Sequence, residues 1–372
     1  MPVSPPKNIL LVAPSIHSGG GTERVLVNLA NALHRMGYPV QILVLRVGES
    51  RPYALDASIP VHEYTVERQW ARRLPGPVAR VAQRLLGTRN WNRFLRATAL
   101  DRSDVVVSFS NNLTVGLASS CVGGRLVAFE HWPFWVTERN AKMAAKVKAT
   151  YPRLRAVVVL TQHEAQVYRG LGVRQVHVIV NAYSFCPSQA AGLDARTVLS
   201  IGHFNDQKRR DLLVQAWKSV VSDYPDWRLK IIGDGPSLES TQALATELGV
   251  FESIDWMAPT KAIEAQYMDA SIYALSSEYE ALPLVLIEAK VCGLPIVSFD
   301  IVSGPNEIVC EGEDGYLVPF ADTAGFAERL KLLIADAARR KAFGRHARED
   351  AESRFSPDTV YGIWKDFLDT LD

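Results

Sequence analysis

Twice along this chain a short apolar run passes into a glycine-rich or polar loop, then a helix with one apolar face, then a second apolar run. That order commits the chain to parallel α/β sheets, because parallel neighbours must be joined by a crossover and the helix supplies it. In the first instance 8–13 leads into Ser18-Gly19-Gly20-Gly21-Thr22 and a helix over 23–36, whose Leu26, Leu29, Leu33 and Met36 share one face. Gly37 stops that helix and 40–45 forms the next strand. Further strands are predicted at 105–108, 125–129 and 156–160. The rhythm restarts with a strand at 197–201, a helix at 211–221 and a strand at 229–232 closed by Gly233-Asp234-Gly235-Pro236, followed by strands at 272–275 and 295–299.

At 372 residues the chain exceeds the roughly 100–200 residues of a single core, so each instance is assigned its own domain. Between them, 185–194 holds Pro187, Ser188 and Gly192 and no periodicity. The prediction is a Rossmann-like domain over 1–184, a linker over 185–195 and a second Rossmann-like domain over 196–355. The longest apolar run, 156–160, falls far short of the roughly 20 residues of a membrane span. Lys7 and the short apolar stretch 9–13 do not read as a secretory signal. A cytoplasmic protein, soluble or peripheral, is expected. Cys121, Cys186, Cys292 and Cys310 show no paired spacing, which disfavours zinc and suits reduced thiols.

The densest constellation is Ser276-Ser277-Glu278-Tyr279-Glu280-Ala281-Leu282-Pro283, with Glu288 eight residues after Glu280. Pro283 suits the first position of a helix, which places Glu280 in the loop before it and Glu288 beyond its first turn. The amides of Leu284, Val285 and Leu286 are then free to bind a diphosphate, while the carboxylates serve hydroxyls. An isolated pair of this kind is more often a capping acid and a solvated acid. Its context argues otherwise. Gly202-His203-Phe204-Asn205-Asp206-Gln207-Lys208 follows a predicted strand, where a parallel sheet presents its ligand loops, and Lys208 or Arg209 can answer phosphate charge. His131 ends the 125–129 strand and precedes Trp132-Pro133-Phe134-Trp135. The glycines at 19–21 could signal a dinucleotide fold, but Arg46 follows the second strand where an acid is usual, so an NAD-dependent enzyme is disfavoured.

In this combination the sequence resembles the family 4 retaining glycosyltransferases of GT-B architecture: two Rossmann-like parallel-sheet domains facing a cleft. The resemblance rests on Gly19-Gly20-Gly21-Thr22-Glu23-Arg24, Glu130-His131, Gln207-Lys208, Gly233-Asp234-Gly235-Pro236, the Glu280/Glu288 pair and Ser303-Gly304-Pro305-Asn306-Glu307-Ile308. It is narrower still to bacterial enzymes that extend lipid-linked oligosaccharides in exopolysaccharide, O-antigen or glycoprotein glycan assembly. The resemblance implies an N-terminal acceptor domain, a C-terminal nucleotide-sugar domain and a final helix, 356–372, returning to the first. It assigns Lys208 to the donor diphosphate, Glu288 to ribose, Glu280 to the donor sugar and His131 to the reaction centre. Gly19, Gly20, Gly21 and Glu23 form the acceptor or phosphate loop. The family usually has Arg where His203 stands, and a neutral imidazole cannot replace a charged fork; in that reading either Arg209 or Arg210 compensates, or diphosphate binding depends more on Lys208 than usual. The implied reaction moves a hexose or N-acetylhexosamine from a nucleotide diphosphate, most simply UDP, to a saccharide hydroxyl. A nucleotide-sugar epimerase, a phosphorylase or a non-catalytic sugar-nucleotide-binding protein are the alternatives.

No Asp-x-Asp triplet occurs, so no cofactor and no metal are expected. Charge is unevenly divided: 1–185 carries 23 basic against 10 acidic residues, and 186–372 carries 18 against 30. Nine arginines lie between Val66 and Arg102, among them Arg80, Arg84, Arg89 and Arg93, with Trp70, Trp91 and Phe94 as interfacial anchors. A second basic stretch is Arg139, Lys142, Lys146 and Lys148. Nucleic acid is disfavoured because no recognition motif accompanies the charge. The expected partners are an acceptor's polyprenyl diphosphate and the anionic inner face of the cytoplasmic membrane.

Overall fold

The structure is a computed structural model that describes residues 6–17, 19–45, 52–64 and 91–371. It holds two compact units, Met1–Ile179 with Ile363–Asp372, and Val180–Gly362. Both are Rossmann-like parallel sheets flanked by helices, the class predicted. In the first, β1 (Ile9–Ala13), β2 (Val40–Val44), β3 (Val61–Glu63), β4 (Val105–Ser108), β5 (Leu126–Phe129), β6 (Ala156–Val159) and β7 (Val176–Val178) lie in the order β3-β2-β1-β4-β5-β6-β7. In the second, β8 (Thr197–Ile201), β9 (Arg228–Ile232), β10 (Ile254–Met257), β11 (Ile272–Leu275), β12 (Ile296–Asp300) and β13 (Gly315–Pro319) lie in the order β10-β9-β8-β11-β12-β13. Each sheet reverses its winding beside its first strand, which opens a crevice at the carboxyl ends of β1 and β4 and another at those of β8 and β11.

Strands such as Ile9–Ala13 and Ala156–Val159 are buried at every position, as a sheet covered by helices on both faces requires. The short edge strands β3 and β7 and the later β10 and β13 carry little apolar periodicity and were not legible as strands. The first helix begins at Gly21 rather than Glu23, because the Glu23 carboxylate accepts the Gly20 amide at 3.1 Å and so extends the helix by a turn's start. Met36, assigned to the apolar face, is the C-cap and is 41% exposed.

Residues 185–195, expected as a linker, pack on the second unit, and the chain passes between units at Ile179 and Val180. Ala191 N–H donates to Cys292 O at 2.8 Å, and Leu193 O accepts from the buried Arg340. The last helix, Pro357–Thr370, contributes Ile363 onward to the first unit. There Trp364 stacks edge-on to Phe129 at 5.0 Å, and Tyr38 donates to Asp369 at 2.7 Å. Among the described residues no helix is long and apolar enough to cross a membrane.

Candidate functional site

In the second unit the loops after β8 and β11 are tied together. Gln207 Nε2 donates to Tyr279 O at 2.8 Å, the Glu278 amide to Gln207 O at 2.8 Å, and Ser276 Oγ to Lys208 O at 2.7 Å. These bonds carry Lys208 to Glu280, whose Oε1 lies 2.5 Å from Nζ, with both side chains largely buried. The Glu280 loop is shaped from outside by Gly304, held at φ +99; a Cβ there would lie 2.9 Å from Ala281 O. Ser303 Oγ donates to Glu280 O at 3.2 Å.

Pro283 is the N-cap rather than the first residue of the helix Leu284–Val291. The Leu286 amide donates to Pro283 O at 3.0 Å, which corrects the expectation of three available donors. Leu284 and Val285 remain the first-turn amides without a backbone acceptor among the described residues. Glu288 is buried in this helix, and its Oε2 accepts from Tyr267 OH at 2.8 Å. Tyr267, which approaches from another helix, Ile263–Met268, carries no local signal in the sequence.

His203 and Arg209 do not join this group. His203 is exposed, with Nδ1 3.1 Å from Asp234. Arg209, in the left-handed region at φ 43, holds Asp211 through two bonds of 3.0 and 2.8 Å and lies 3.8 Å from Glu278. The following residue, Arg210, turns inward and is 2% exposed beneath Gly202. Gly233 and Gly235 let the β9 loop meet the β8 loop: a Cβ on Gly233 would lie 2.1 Å from Gly202 O, and one on Gly235 would lie 2.3 Å from Phe204 O.

In the first unit a cavity of about 360 Å³ opens at the ends of β1 and β4. It is lined by Ser15, Gly20–Glu23, Ser110, Asn111, Glu130, His131 and Trp132. Gly20 and Gly21 present the start of the first helix, whereas Glu23 is committed in part to the cap and Gly19, at φ +72, lies outside the lining. The His131 ring stacks on Phe109 at 5.3 Å and lies tilted against Phe129 at 4.1 Å. Burial pulls its pKa down to about 3, so the ring is neutral, and its Nε2 has no partner among the described residues. Its neighbour Glu130 accepts from Tyr151 OH. Burial, opposed in part by that bond and reinforced by Glu164, raises Glu130 to about 7. Trp132 is 49% exposed at the rim.

Of the arginines expected to meet anionic lipid, Arg80, Arg84 and Arg89 lie outside the described residues, and Arg93 is exposed. In the second basic stretch Arg139 stacks on Trp135 at 4.6 Å and Lys148 pairs with Glu138 at 2.9 Å. Cys310, Asp314 and Asp350 have a spacing that could hold a cation, but Lys290 Nζ lies among them, 2.6 Å from Asp314 and in contact with Asp350.

Residues 19–184 match the family described as Glycosyltransferase Family 4, and residues 187–350 match Glycosyl transferases group 1. An uncharacterized glycosyltransferase of Haemophilus influenzae is 30% identical over 331 residues, 88% of this chain and 90% of that protein. The Campylobacter jejuni protein named GalNAc-alpha-(1->4)-GalNAc-alpha-(1->3)-diNAcBac-PP-undecaprenol alpha-1,4-N-acetyl-D-galactosaminyltransferase is 26% identical over 345 residues, 89% of this chain and 90% of that one. The crystal structure of Anabaena HepE in complex with UDP aligns with a TM-score of 0.77 and 19% identity, covering 98% of this chain and 100% of that one. That last likeness is one of fold, the GT-B pair of parallel sheets.

Proposed function

As the chain belongs to the glycosyltransferases, with a family 4 module ahead of a group 1 module, we propose that it moves a hexose or N-acetylhexosamine from a UDP-sugar to a saccharide hydroxyl with retention of configuration. The observation that carries this reading is the Lys208–Glu280 pair at the switch point of the second sheet, beside the helix Leu284–Val291 with Glu288 buried in it. Lys208 and the amides of Leu284 and Val285 answer the diphosphate charge, Glu288 accepts from ribose hydroxyls, and Glu280 accepts from hydroxyls of the transferred sugar. The helix terminus and the ammonium do the electrostatic work that a metal ion does elsewhere.

His131, neutral and packed between aromatic rings, is suited to a hydrogen bond at the reaction centre and not to proton abstraction. Glu280, engaged by Lys208, is poorly suited to covalent attack. The reading is therefore a front-face departure, in which the leaving diphosphate takes the acceptor proton as the new glycosidic bond forms. The cavity at Ser15, Asn111, Glu130 and Trp132 offers hydroxyl partners below an exposed indole, a fit for an acceptor sugar. The C. jejuni relative's PP-undecaprenol substrate and the basic surplus of 1–185 support a polyprenyl-diphosphate-linked acceptor and an anionic membrane face.

The test is transfer from radiolabelled UDP-hexoses and UDP-N-acetylhexosamines to polyprenyl-diphosphate-linked saccharides, with the product anomer read by NMR. An α-linked product from an α-linked donor is expected. Failure of every UDP donor, or an inverted product, sinks the reading.

A further inference from the structure

Arg210 is a buried cation that the reading above leaves without a task. It opens the helix Arg210–Asp223, and its guanidinium folds back beneath β8, where Nη1 donates to Ser200 Oγ. Nε and Nη2 are buried and have no hydrogen-bond partner among the described residues. Phe204 supplies a ring 5.9 Å away, which offsets little of the cost of burying the charge. A buried group so poorly satisfied calls for an explanation.

Its surroundings show where that charge acts. A Cβ on Gly202 would lie 3.2 Å from Arg210 Nη2 and 3.2 Å from Lys208 Cε, so two cationic side chains converge on one glycine. One carboxylate, Glu280, faces both: it bonds Lys208 directly and acts on Arg210 electrostatically. Among the described residues Glu280 bonds Lys208 and acts on Arg210, from the β8 loop and its helix, and on Tyr273 from β11; Arg209 lies near Glu278 of the same loop, and Glu288, from the helix after it, acts on Tyr273. Arg209 is taken by Asp211 and Glu278. Burial works against the Arg210 charge, and Tyr273 and Glu280 work for it.

The Lys208 ammonium cannot serve Glu280 and a bound diphosphate equally. Once it turns to phosphate, Glu280 sits largely buried beside a new negative charge, and both effects favour its protonated form. We propose that Arg210 is a positioning residue that keeps Glu280 ionised in the donor complex, by supplying a fixed buried charge when Lys208 is drawn to the diphosphate. This rests on the donor reading given above. No ligand contact by Arg210 is required; it acts through Glu280.

The experiment uses the full chain and UDP as probe. Calorimetric titration at pH 6 in two buffers of different ionisation heat counts the protons exchanged on binding. The terminal phosphate of UDP titrates at about pH 6 and exchanges protons with either protein, so the readout is the difference: Arg210→Met should take up close to one proton per UDP more than wild type. In turnover, the acid limb of the Arg210→Met profile should move up by a unit or more, at least tenfold slower than wild type at pH 6 and recovering above pH 8. Arg210→Lys should follow wild type, and it carries the test if Arg210→Met does not fold. Equal proton exchange in variant and wild type, a deficit that does not vary with pH, or a folded Arg210→Lys with a displaced acid limb would overturn the assignment. Failure of wild type to bind UDP overturns the donor reading and this one together, whereas UDP binding with unaltered proton exchange overturns this one alone.

Discussion

Lys208 Nζ and Glu280 Oε1 stand 2.5 Å apart, so a carboxylate already occupies the ammonium that the proposed function assigns to the donor diphosphate. In that proposal donor binding must displace this internal anion. Glu280→Gln is therefore expected to tighten UDP severalfold while slowing transfer at least tenfold, because the substrate hydroxyl loses a charged acceptor. Lys208→Ala should weaken UDP by about 1.5–3 kcal/mol, the worth of a charged hydrogen bond. Calorimetry and initial rates decide. Weaker UDP binding by Glu280→Gln would show that the carboxylate holds the donor without competing for Lys208.

His131 is held neutral by burial, with a pKa near 3. Its imidazole resonances should not titrate between pH 5 and 8 in heteronuclear NMR, assigned by comparison with His131→Asn. A midpoint within that range would restore it as a candidate base.

Glu130 is raised to about 7 from an ordinary 4.5. Its contribution to stability is fully present below about pH 4.5, where it is protonated folded and unfolded, and falls away as pH rises to about 7, where ionisation in a buried site disfavours the fold. The shift corresponds to about 3 kcal/mol by the usual conversion. Glu130→Gln, which keeps an acceptor for Tyr151, should be more stable than wild type at pH 8 by up to that amount, with no such gain at pH 4.5. Urea unfolding at both values measures the difference, and a gain independent of pH would contradict the burial argument.

Chelator should leave turnover unchanged, and added magnesium or manganese should not raise it, if Lys208 and the amides of Leu284 and Val285 carry the diphosphate charge. Loss of activity with EDTA and recovery with either ion would overturn that division of labour.

Lys290 is fully buried, pairs with Asp314 and Asp350 and donates to Ile308 O, joining the helix that bears Glu288 to the segments after it. Lys290→Met would strand the buried Asp314 carboxylate, while Asp350 keeps Arg354 as its partner, and a loss of roughly 3–5 kcal/mol is expected from breaking a buried pair. Guanidinium melts test this, and a change below about 1 kcal/mol would mean the carboxylates are readily hydrated.

The long-period signals were legible in the sequence, and the short-range ones misled. Helix and strand repeats located both sheets because parallel strands buried on two faces have few compositions open to them. The Glu280/Glu288 spacing and Lys208 were visible as a set. Tyr267 and Tyr151 were not, because they reach their partners from elements distant in sequence and carry no local pattern; Ser303 stood in a motif, but its bond to Glu280 O was not legible there. Arg209 and Arg210 were indistinguishable as neighbours in a basic run. The left-handed turn at Arg209 sends one to surface acids and the other under the sheet, and that choice belongs to the backbone. The Pro283 rule placed the helix start one residue early, since the proline caps the helix and its carbonyl takes the Leu286 amide.

The glycine contacts between the β8 and β9 loops bear on how such a site can be redesigned. With Gly233 against Gly202 O and Gly235 against Phe204 O, neither loop has room to accept a side chain at those points unless the other retreats. The two segments, 202–208 and 233–237, form a single exchangeable cassette. A graft that changes one and leaves the other will misfit at the backbone, so the two are best moved together.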